Sequence, residues 1–268
     1  MPGWRKLALC VVLLWTPCVC AQSPPPPPAD DTTASAPAQG FLTRYAFHLS
    51  AAAISSSDIR FTAQTLFGGD LDVVDFGSGR ATILADYEAI HGNPVRLFEP
   101  LQGNYLVEFS AVARTHGVEI GTLFRHMSRH LSDQDLARSI AWNEVAGRLF
   151  LRRTLSGWSV WSQTDVGYAI HETFDDYTWM ADSNVEARRP LRRHLGTFVD
   201  GALHLIGVNG SVPDRGTQTG GRIETGLSVP GHAGAFELFA AWERRIDAWP
   251  LGREPYGWLM GGFRFVSR

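Results

Sequence analysis

The segment Asn104-Tyr-Leu-Val-Glu-Phe-Ser-Ala-Val-Ala-Arg114 alternates between apolar and polar side chains. Its odd-numbered positions run from Tyr105 to Ala113 and are apolar, whereas Glu108 and Arg114 occupy even-numbered positions. The same period of two recurs at 158–171 and 236–245. Such alternation indicates β-strands with one apolar and one polar face.

The length of these runs favours a membrane protein over a soluble sheet. Strands of soluble sheets usually span ~5–6 residues, whereas ~9–11 tilted residues cross a bilayer. Burying Glu108, Asp165 or Glu243 in a dry core would cost several kcal/mol each, on the order of 2–7, without a partner. In a barrel these side chains line a wet lumen while the apolar face meets lipid. We therefore predict an all-β, transmembrane, antiparallel, up-and-down β-barrel.

The alternating pattern predicts ten to twelve strands. Its candidates lie at 41–54, 59–74, 78–91, 103–115, 117–131, 139–152, 157–171, 174–188, 193–208, 217–229, 233–246 and 256–267. Short connections alternate with longer ones, as expected for periplasmic turns and external loops. A soluble, lipocalin-like binding protein is the non-membrane alternative, and the strand length and number disfavour it.

The N-terminal region predicts export. Residues 1–21 have a basic start, an apolar stretch and small residues before a cleavage point, the features of a signal peptide. Residues 22–40 are a proline-rich, disordered linker, and 41–268 form the barrel. All three cysteines fall within 1–21, so the mature chain has no disulfide, thiol nucleophile or cysteine metal site. We expect the cell outer membrane as the location.

The charge composition limits which classes of molecule the protein is expected to bind. The net charge is −3 and no basic stripe is present, which argues against nucleic acid. The expected partners are outer-membrane lipid and lipopolysaccharide, together with the outer-membrane assembly machinery, and the oligomeric state stays open. No cofactor and no metal are expected.

One dense polar cluster lies between residues 125 and 148. At a period of two, His126, Ser128 and His130 share a face, and a hairpin centred near residue 136 sets Glu144 opposite Ser128. A serine, a histidine and a carboxylate in contact are the minimum for an activated hydroxyl nucleophile. A metal site that uses His126, His130 and Asp133 is a rarer possibility.

Two resemblances meet in this cluster. His130-Leu-Ser132, followed by Glu144, resembles the His-x-Ser…Glu arrangement of the lipid A 3-O-deacylase barrels. That resemblance implies His130 as base, Ser132 as nucleophile and Glu144 as the orienting residue, with the scissile ester in the outer leaflet. The segment 124–133 is also similar to a YHxSSHLGDE-like motif of an uncharacterised family of bacterial outer-membrane barrels, which implies the fold and no activity.

The side of the wall to which each side chain points leaves a second interpretation of this cluster open. Parity points Glu144 and Arg148 into the lumen but His126, Ser128 and His130 outward, so one joint site needs a bulge, at Gly121 or Gly147. Without it, the cluster is a lumenal network that braces the mouth of the barrel and includes Arg125, Asp133, Asn143 and Arg148.

Three functions therefore stay open. The leading hypothesis is an outer-membrane barrel of uncharacterised role with a polar, partly plugged lumen. The second is an outer-leaflet lipid A or phospholipid ester hydrolase. The third is a passive porin.

Overall fold

The computed structural model describes residues 39–132 and 140–267, which form β-strands joined by turns and loops. The strands are β1 (Gly40–Ser55), β2 (Ala63–Asp75), β3 (Gly79–Gly92), β4 (Glu99–Thr115), β5 (Val118–Leu131), β6 (Ile140–Leu155), β7 (Trp158–Thr173), β8 (Tyr177–Arg192), β9 (Leu195–Val208), β10 (Gln218–Pro230), β11 (Gly234–Trp249) and β12 (Glu254–Ser267). The predicted signal peptide and nearly all of the predicted linker lie outside the described residues.

The sheet closes on itself. Each strand pairs antiparallel with the next in sequence, and β12 pairs with β1, from His48 opposite Val266 to Ser55 opposite Leu259. Closure removes the unpaired edges that an open sheet would expose to lipid. The prediction of an up-and-down antiparallel barrel is confirmed, with twelve strands.

The two ends of the barrel have different connections. At one end, called here the turn end, β1 begins, β12 ends and five turns of two or three residues lie at 76–78, 116–117, 156–157, 193–194 and 231–233. Ser156 and Gly157 both have positive φ, 50° and 81°, as the tightest hairpin turns require. The opposite end, the loop end, has connections of up to nine residues, such as 209–217.

The wall of the barrel is apolar outside and charged inside. Tyr168, Ile170 and Leu259 are between 60% and 69% exposed, whereas Glu237 and Glu243 are fully buried. This is the reverse of a soluble protein and matches a barrel with lipid around it. Within the described residues no helix is long and apolar enough to cross a membrane.

Side chains cross the lumen and tie distant strands together. Arg245 of β11 donates to Glu88 of β3 at 2.6 Å, and Arg188 of β8 pairs with Glu237 of β11. Apolar side chains also enter the interior near the loop end, where Phe61 packs on Trp258 at 5.1 Å between ring centroids. The interior is therefore a mixture of ion pairs and apolar clusters, more filled than a wet lumen lined only by polar groups.

Candidate functional site

The pairing of β5 with β6 decides which side chains of the polar cluster meet. Arg125 lies opposite Glu144, His126 opposite Asn143, and Ser128 opposite Ala141. The hairpin centre expected near residue 136 is therefore wrong by about one and a half residues. The ladder between these two strands runs from Val118 to Arg129 without a bulge.

The three residues singled out by the deacylase resemblance do not meet. Glu144 is only 1% exposed and its Oε2 accepts from Arg125 Nη1 at 3.0 Å, inside the lumen. His130 lies on the outward face of β5, and Ser132 follows the strand, where its backbone N–H donates to the Leu101 carbonyl at 2.9 Å. The barrel wall separates Glu144 from His130.

Ser128 and His130 form a contact on the outer face of the barrel. The Ser128 Oγ lies 2.9 Å from the His130 Nε2, a hydrogen-bond distance. Both follow the parity of Ile120 and Phe124, which are 54% and 37% exposed on the same strand. The hydroxyl and the imidazole therefore face the lipid side, near the loop end.

A second pair lies beside the first. The His126 Nδ1 is 2.6 Å from the Asn143 Oδ1. Because an amide oxygen is only an acceptor, this bond keeps the proton on Nδ1 and leaves Nε2 with a free lone pair. His171 lies opposite Asn143 on the far side, so it extends the same outward row.

Aromatic rings border the Ser128–His130 pair on one side. Tyr105 lies opposite Ser128 in the β4–β5 ladder, and its ring meets the His130 ring edge-on at 5.1 Å between centroids. Tyr87 packs on Tyr105 at 4.8 Å, and Phe67 packs on Tyr87 at 5.2 Å. This aromatic row limits the orientations of His130 and places the pair at the end of an apolar surface.

The inward faces of the same two strands carry a separate, charged cluster. Arg148 donates to Glu108 Oε1 at 2.5 Å and to Asp165 Oδ2 at 2.7 Å, and Arg125 donates to Asp165 Oδ2 at 2.9 Å. Arg125 also donates to the Asp182 Oδ2 at 2.8 Å, across to β8. We call these side chains, with Glu144, the lumen cluster.

The structure does not place Asn143 or Asp133, both expected in this network, in the lumen cluster. Asn143 faces outward, because it has the parity of Val145 and Leu149 rather than that of Glu144. Asp133 lies outside the described residues. The outward parity of Asn143 can be read from the sequence, since it shares odd numbering with Val145, Leu149 and Leu151, whereas Glu144 and Arg148, the charged residues near it, are even-numbered.

The outward cluster of Ser128, His130, His126 and Asn143 contains hydroxyl, imidazole and amide groups but no carboxylate. An imidazole at hydrogen-bond distance from a hydroxyl can accept its proton as the oxygen attacks an electrophilic carbon. An asparagine can orient an imidazole, as in Cys-His-Asn proteases, but Asn143 contacts His126 rather than His130, the imidazole next to Ser128. Residues 39–132 and 140–267 contain no group of three or more His, Asp or Glu side chains arranged to hold a metal ion.

The comparison with known proteins gives matches in structure alone. No family model matches the chain, and no curated protein matches it in sequence. The structure is similar to outer membrane phospholipase A from Escherichia coli, with a TM-score of 0.51 at 12% identity, over 83% of this chain and 92% of that one.

Two further solved structures of outer membrane phospholipases are similar. The Salmonella typhi protein, a dimer with bound calcium, has a TM-score of 0.50 at 12% identity over 84% of this chain and 91% of that one. An asparagine-to-alanine active-site mutant of the Escherichia coli protein also has a TM-score of 0.50 at 12% identity, over 85% and 90% of the two chains. At this identity the likeness extends to the fold, and the chain has the fold of an outer-membrane β-barrel.

Proposed function

We propose that this chain is an outer-membrane acyl-ester hydrolase that acts on lipids of the outer leaflet, with Ser128 as the nucleophile. The observation that carries the proposal is the 2.9 Å contact between Ser128 Oγ and His130 Nε2 on the lipid-facing side of the wall. Long loops of such barrels face the cell exterior, so the loop end puts the pair level with the outer leaflet.

The reaction follows from the two groups. The Ser128 Oγ attacks the ester carbonyl carbon while the His130 Nε2 takes its proton. The tetrahedral intermediate expels the alcohol, which takes the proton from the imidazole, and leaves an acyl-serine. Water, deprotonated by the same imidazole, then attacks the acyl carbon. The bond from that carbon to Ser128 Oγ breaks, the imidazolium returns its proton to Oγ, and the fatty acid leaves. The substrate class is a lipid with an ester bond near the headgroup, either a phospholipid or lipid A.

The lipid-facing position explains why the cluster lacks a carboxylate. An ionised side chain on the lipid face costs about 2–4 kcal/mol at the midplane for arginine or lysine, somewhat less for a carboxylate, and about 0–1 kcal/mol near the interfaces. Neutral hydroxyl, imidazole and amide groups avoid that penalty. The likeness to solved outer membrane phospholipases supports the proposal only through the shared fold.

The test compares Ser128 and Ser132, which lie two residues before and two residues after His130. Purified full-length protein in mixed micelles with phosphatidylcholine, and cells with and without the protein, are analysed by mass spectrometry for released fatty acid and for lipid A acylation. Ser128→Ala is expected to lower the rate by at least about a thousand-fold, since the nucleophile is removed. Ser132→Ala, the matched control, is expected to leave it unchanged. Unaltered lipids with the wild type, or full activity in Ser128→Ala, would refute the proposal.

A second pair of variants assigns the base. His130→Ala is expected to lower kcat by about 10²–10⁴-fold, the usual contribution of a general base. His126→Ala is expected to have a much smaller effect, because the structure brings His130 rather than His126 to the Ser128 hydroxyl. The reverse order would assign the base to His126, whose Nε2 is left free by its bond to Asn143.

Ion pairs that cross the lumen argue against the passive-porin alternative. Arg245–Glu88 and Arg125–Asp182 connect strands that are not neighbours in the sheet, so their side chains occupy the path of a solute. We therefore propose that the outer face of the wall carries the catalytic pair and that the ion pairs of the interior stabilise the barrel. Planar-bilayer recordings at neutral pH are expected to give little or no steady conductance.

A further inference from the structure

The exposed charges of the barrel are divided between its two ends. In the described part of the chain, the exposed acidic residues are Glu172, Asp214 and Glu254, and all three lie at the loop end. Exposed arginines concentrate at the turn end, at positions 152, 153, 189, 192 and 193. Only Arg96 is an exposed arginine at the loop end within the described ranges. The turn end is therefore basic on one side of the barrel, over the β6–β7 and β8–β9 turns.

Two of these arginines point out of the wall rather than into the lumen. Arg153 continues the outward parity of Leu149 on β6, which is 38% exposed. Arg189 continues the outward parity of Val185 on β8, which is 46% exposed. Each arginine lies four residues, about 13 Å, beyond that apolar residue and two or three residues before its strand ends, which places it where the apolar wall meets the turn end.

The environment of these side chains favours a phosphate ligand. The guanidinium carbon of Arg189 lies 5.9 Å from the ring centroid of Trp158, and tryptophan is typical of the membrane interface. Arg153 donates to the backbone carbonyls of Gly117 and Arg152 at 3.2 and 2.8 Å. Across 39–132 and 140–267, no carboxylate pairs with Arg153, Arg189, Arg192 or Arg193. Arginine binds phosphate bidentately, and these four side chains, the basic rim, lack an acidic competitor.

We propose that the basic rim is a binding site for the phosphate groups of anionic phospholipids in the periplasmic leaflet. Short turns of such barrels face the periplasm, so the rim lies level with the headgroups of that leaflet. The site is on one side of the barrel and is independent of the ester-hydrolase proposal, since it lies at the opposite end of the wall from Ser128. It gives the barrel an ordered anionic lipid shell over β6 to β9.

The test measures which lipid the protein retains. Full-length protein is reconstituted in vesicles of phosphatidylcholine and phosphatidylglycerol in equal amounts, released into detergent and analysed by native mass spectrometry for bound lipid. The wild type is expected to retain phosphatidylglycerol over phosphatidylcholine. Arg189→Gln is expected to reduce that preference about five-fold, the usual effect of one basic residue at an anionic surface. The variant with all four rim arginines changed to glutamine is expected to lose it.

Arg96→Gln is the control at the other end: it removes an exposed positive charge that is already paired with Glu99 at 2.7 Å and is therefore not expected to hold an anionic lipid. Heat-modifiable migration on gels checks that every variant is folded. The proposal is overturned if the four-arginine variant keeps the preference, if Arg96→Gln reduces it as much as Arg189→Gln, or if the wild type shows none. Sodium phosphate and sodium chloride at equal ionic strength are added in parallel. Phosphate is expected to weaken the preference more than chloride does, because it competes for the same guanidinium groups. Equal weakening by both salts would mean general charge attraction and would overturn the phosphate site.

Discussion

Strands β5 and β6 carry two polar clusters on opposite faces of the same wall, and the clusters differ in charge. Outside, Ser128, His130, His126 and Asn143 form neutral pairs. Inside, the carboxylates of the lumen cluster are held by Arg125 and Arg148. A charge on the lumen side finds a partner across the barrel, whereas a charge on the lipid side does not. The face of the wall on which a residue lies therefore decides whether its side chain can be charged and what chemistry it can perform.

The largest expected effect concerns the lumen cluster. Arg148→Met leaves Glu108 and Asp165 with a single arginine between them, and removing one partner of a buried ion pair costs about 3–5 kcal/mol. We expect a corresponding loss in the free energy of unfolding, measured by urea titration of the protein in lipid vesicles. The activity of the protein that remains folded should be unchanged, because Arg148 does not face the Ser128 side.

The control for this change is Arg153→Met, which removes an exposed arginine from the same strand. It is expected to alter the unfolding free energy by less than about 1 kcal/mol. Equal destabilisation by both changes would mean that the lumen cluster contributes no more than a surface charge, and the contrast between the two faces would fail.

The next largest effect comes from a carboxylate at the loop end that lacks the arginine partners of the lumen cluster. Asp175 lies in the 174–176 connection, is 6% exposed, and its two carboxylate oxygens accept no hydrogen bond from the described residues. Burial raises the pKa of Asp175 from its ordinary 3.8 to about 6, although Arg129 lowers it in part. The folded state therefore holds a proton that the unfolded state releases.

This proton sets the direction of a pH dependence. Between the two pKa values folding takes up a proton, so the contribution of Asp175 to stability falls as the pH rises from about 4 to about 6 and stays low above. Asp175→Asn removes the penalty and is expected to raise the unfolding free energy by about 2–3 kcal/mol at pH 8, and by nothing at pH 4. Asp214→Asn, at an exposed carboxylate of the same end, should show no such gain. A gain of equal size at both pH values would exclude titration of Asp175 as the cause.

The sequence predicts the fold well because alternation depends only on neighbours along the chain. The run from Asn104 to Arg114 is enough to show one lipid-facing and one lumen-facing set. The even strand number and the alternation of short and long connections follow from the same pattern. Boundaries differ by one to a few residues, as at β9, which begins at Leu195 rather than 193.

The register between strands is the part that the sequence predicts poorly. The two-residue turn His116-Gly117 fixes the β4–β5 pairing, so that Tyr105 lies opposite Ser128. The connection from β5 to β6 is much longer, and its length does not determine which residues face each other. The expected pairing joined Ser128 with Glu144, which face opposite sides, and this conflict is the signal that the register was wrong.

Once the parity is respected, the candidate site changes its members. Ser128 and His130 remain neighbours because they lie on one strand, two residues apart. Asn143, and not Glu144, joins the outward cluster, where it contacts His126, because it shares the outward face. No local pattern shows that His130 rather than His126 contacts the hydroxyl, since both lie two residues from Ser128 and the choice depends on side-chain orientation.

The smallest expected effect tests whether Asn143, rather than Glu144, supports the outward cluster. Asn143→Ala removes the acceptor that holds the His126 Nδ1, and with His130 as base we expect kcat to fall only about three- to ten-fold, with KM unchanged. Glu144→Gln, on the adjacent residue of the same strand, should change kcat less than two-fold, because its side chain lies on the lumen side.

If Glu144→Gln abolished activity while Asn143→Ala did not, the orienting group would be the lumenal carboxylate, and the wall could not separate the two clusters. A loss of about a thousand-fold in Asn143→Ala would instead make His126 the base, which the paired His126→Ala and His130→Ala rates check independently.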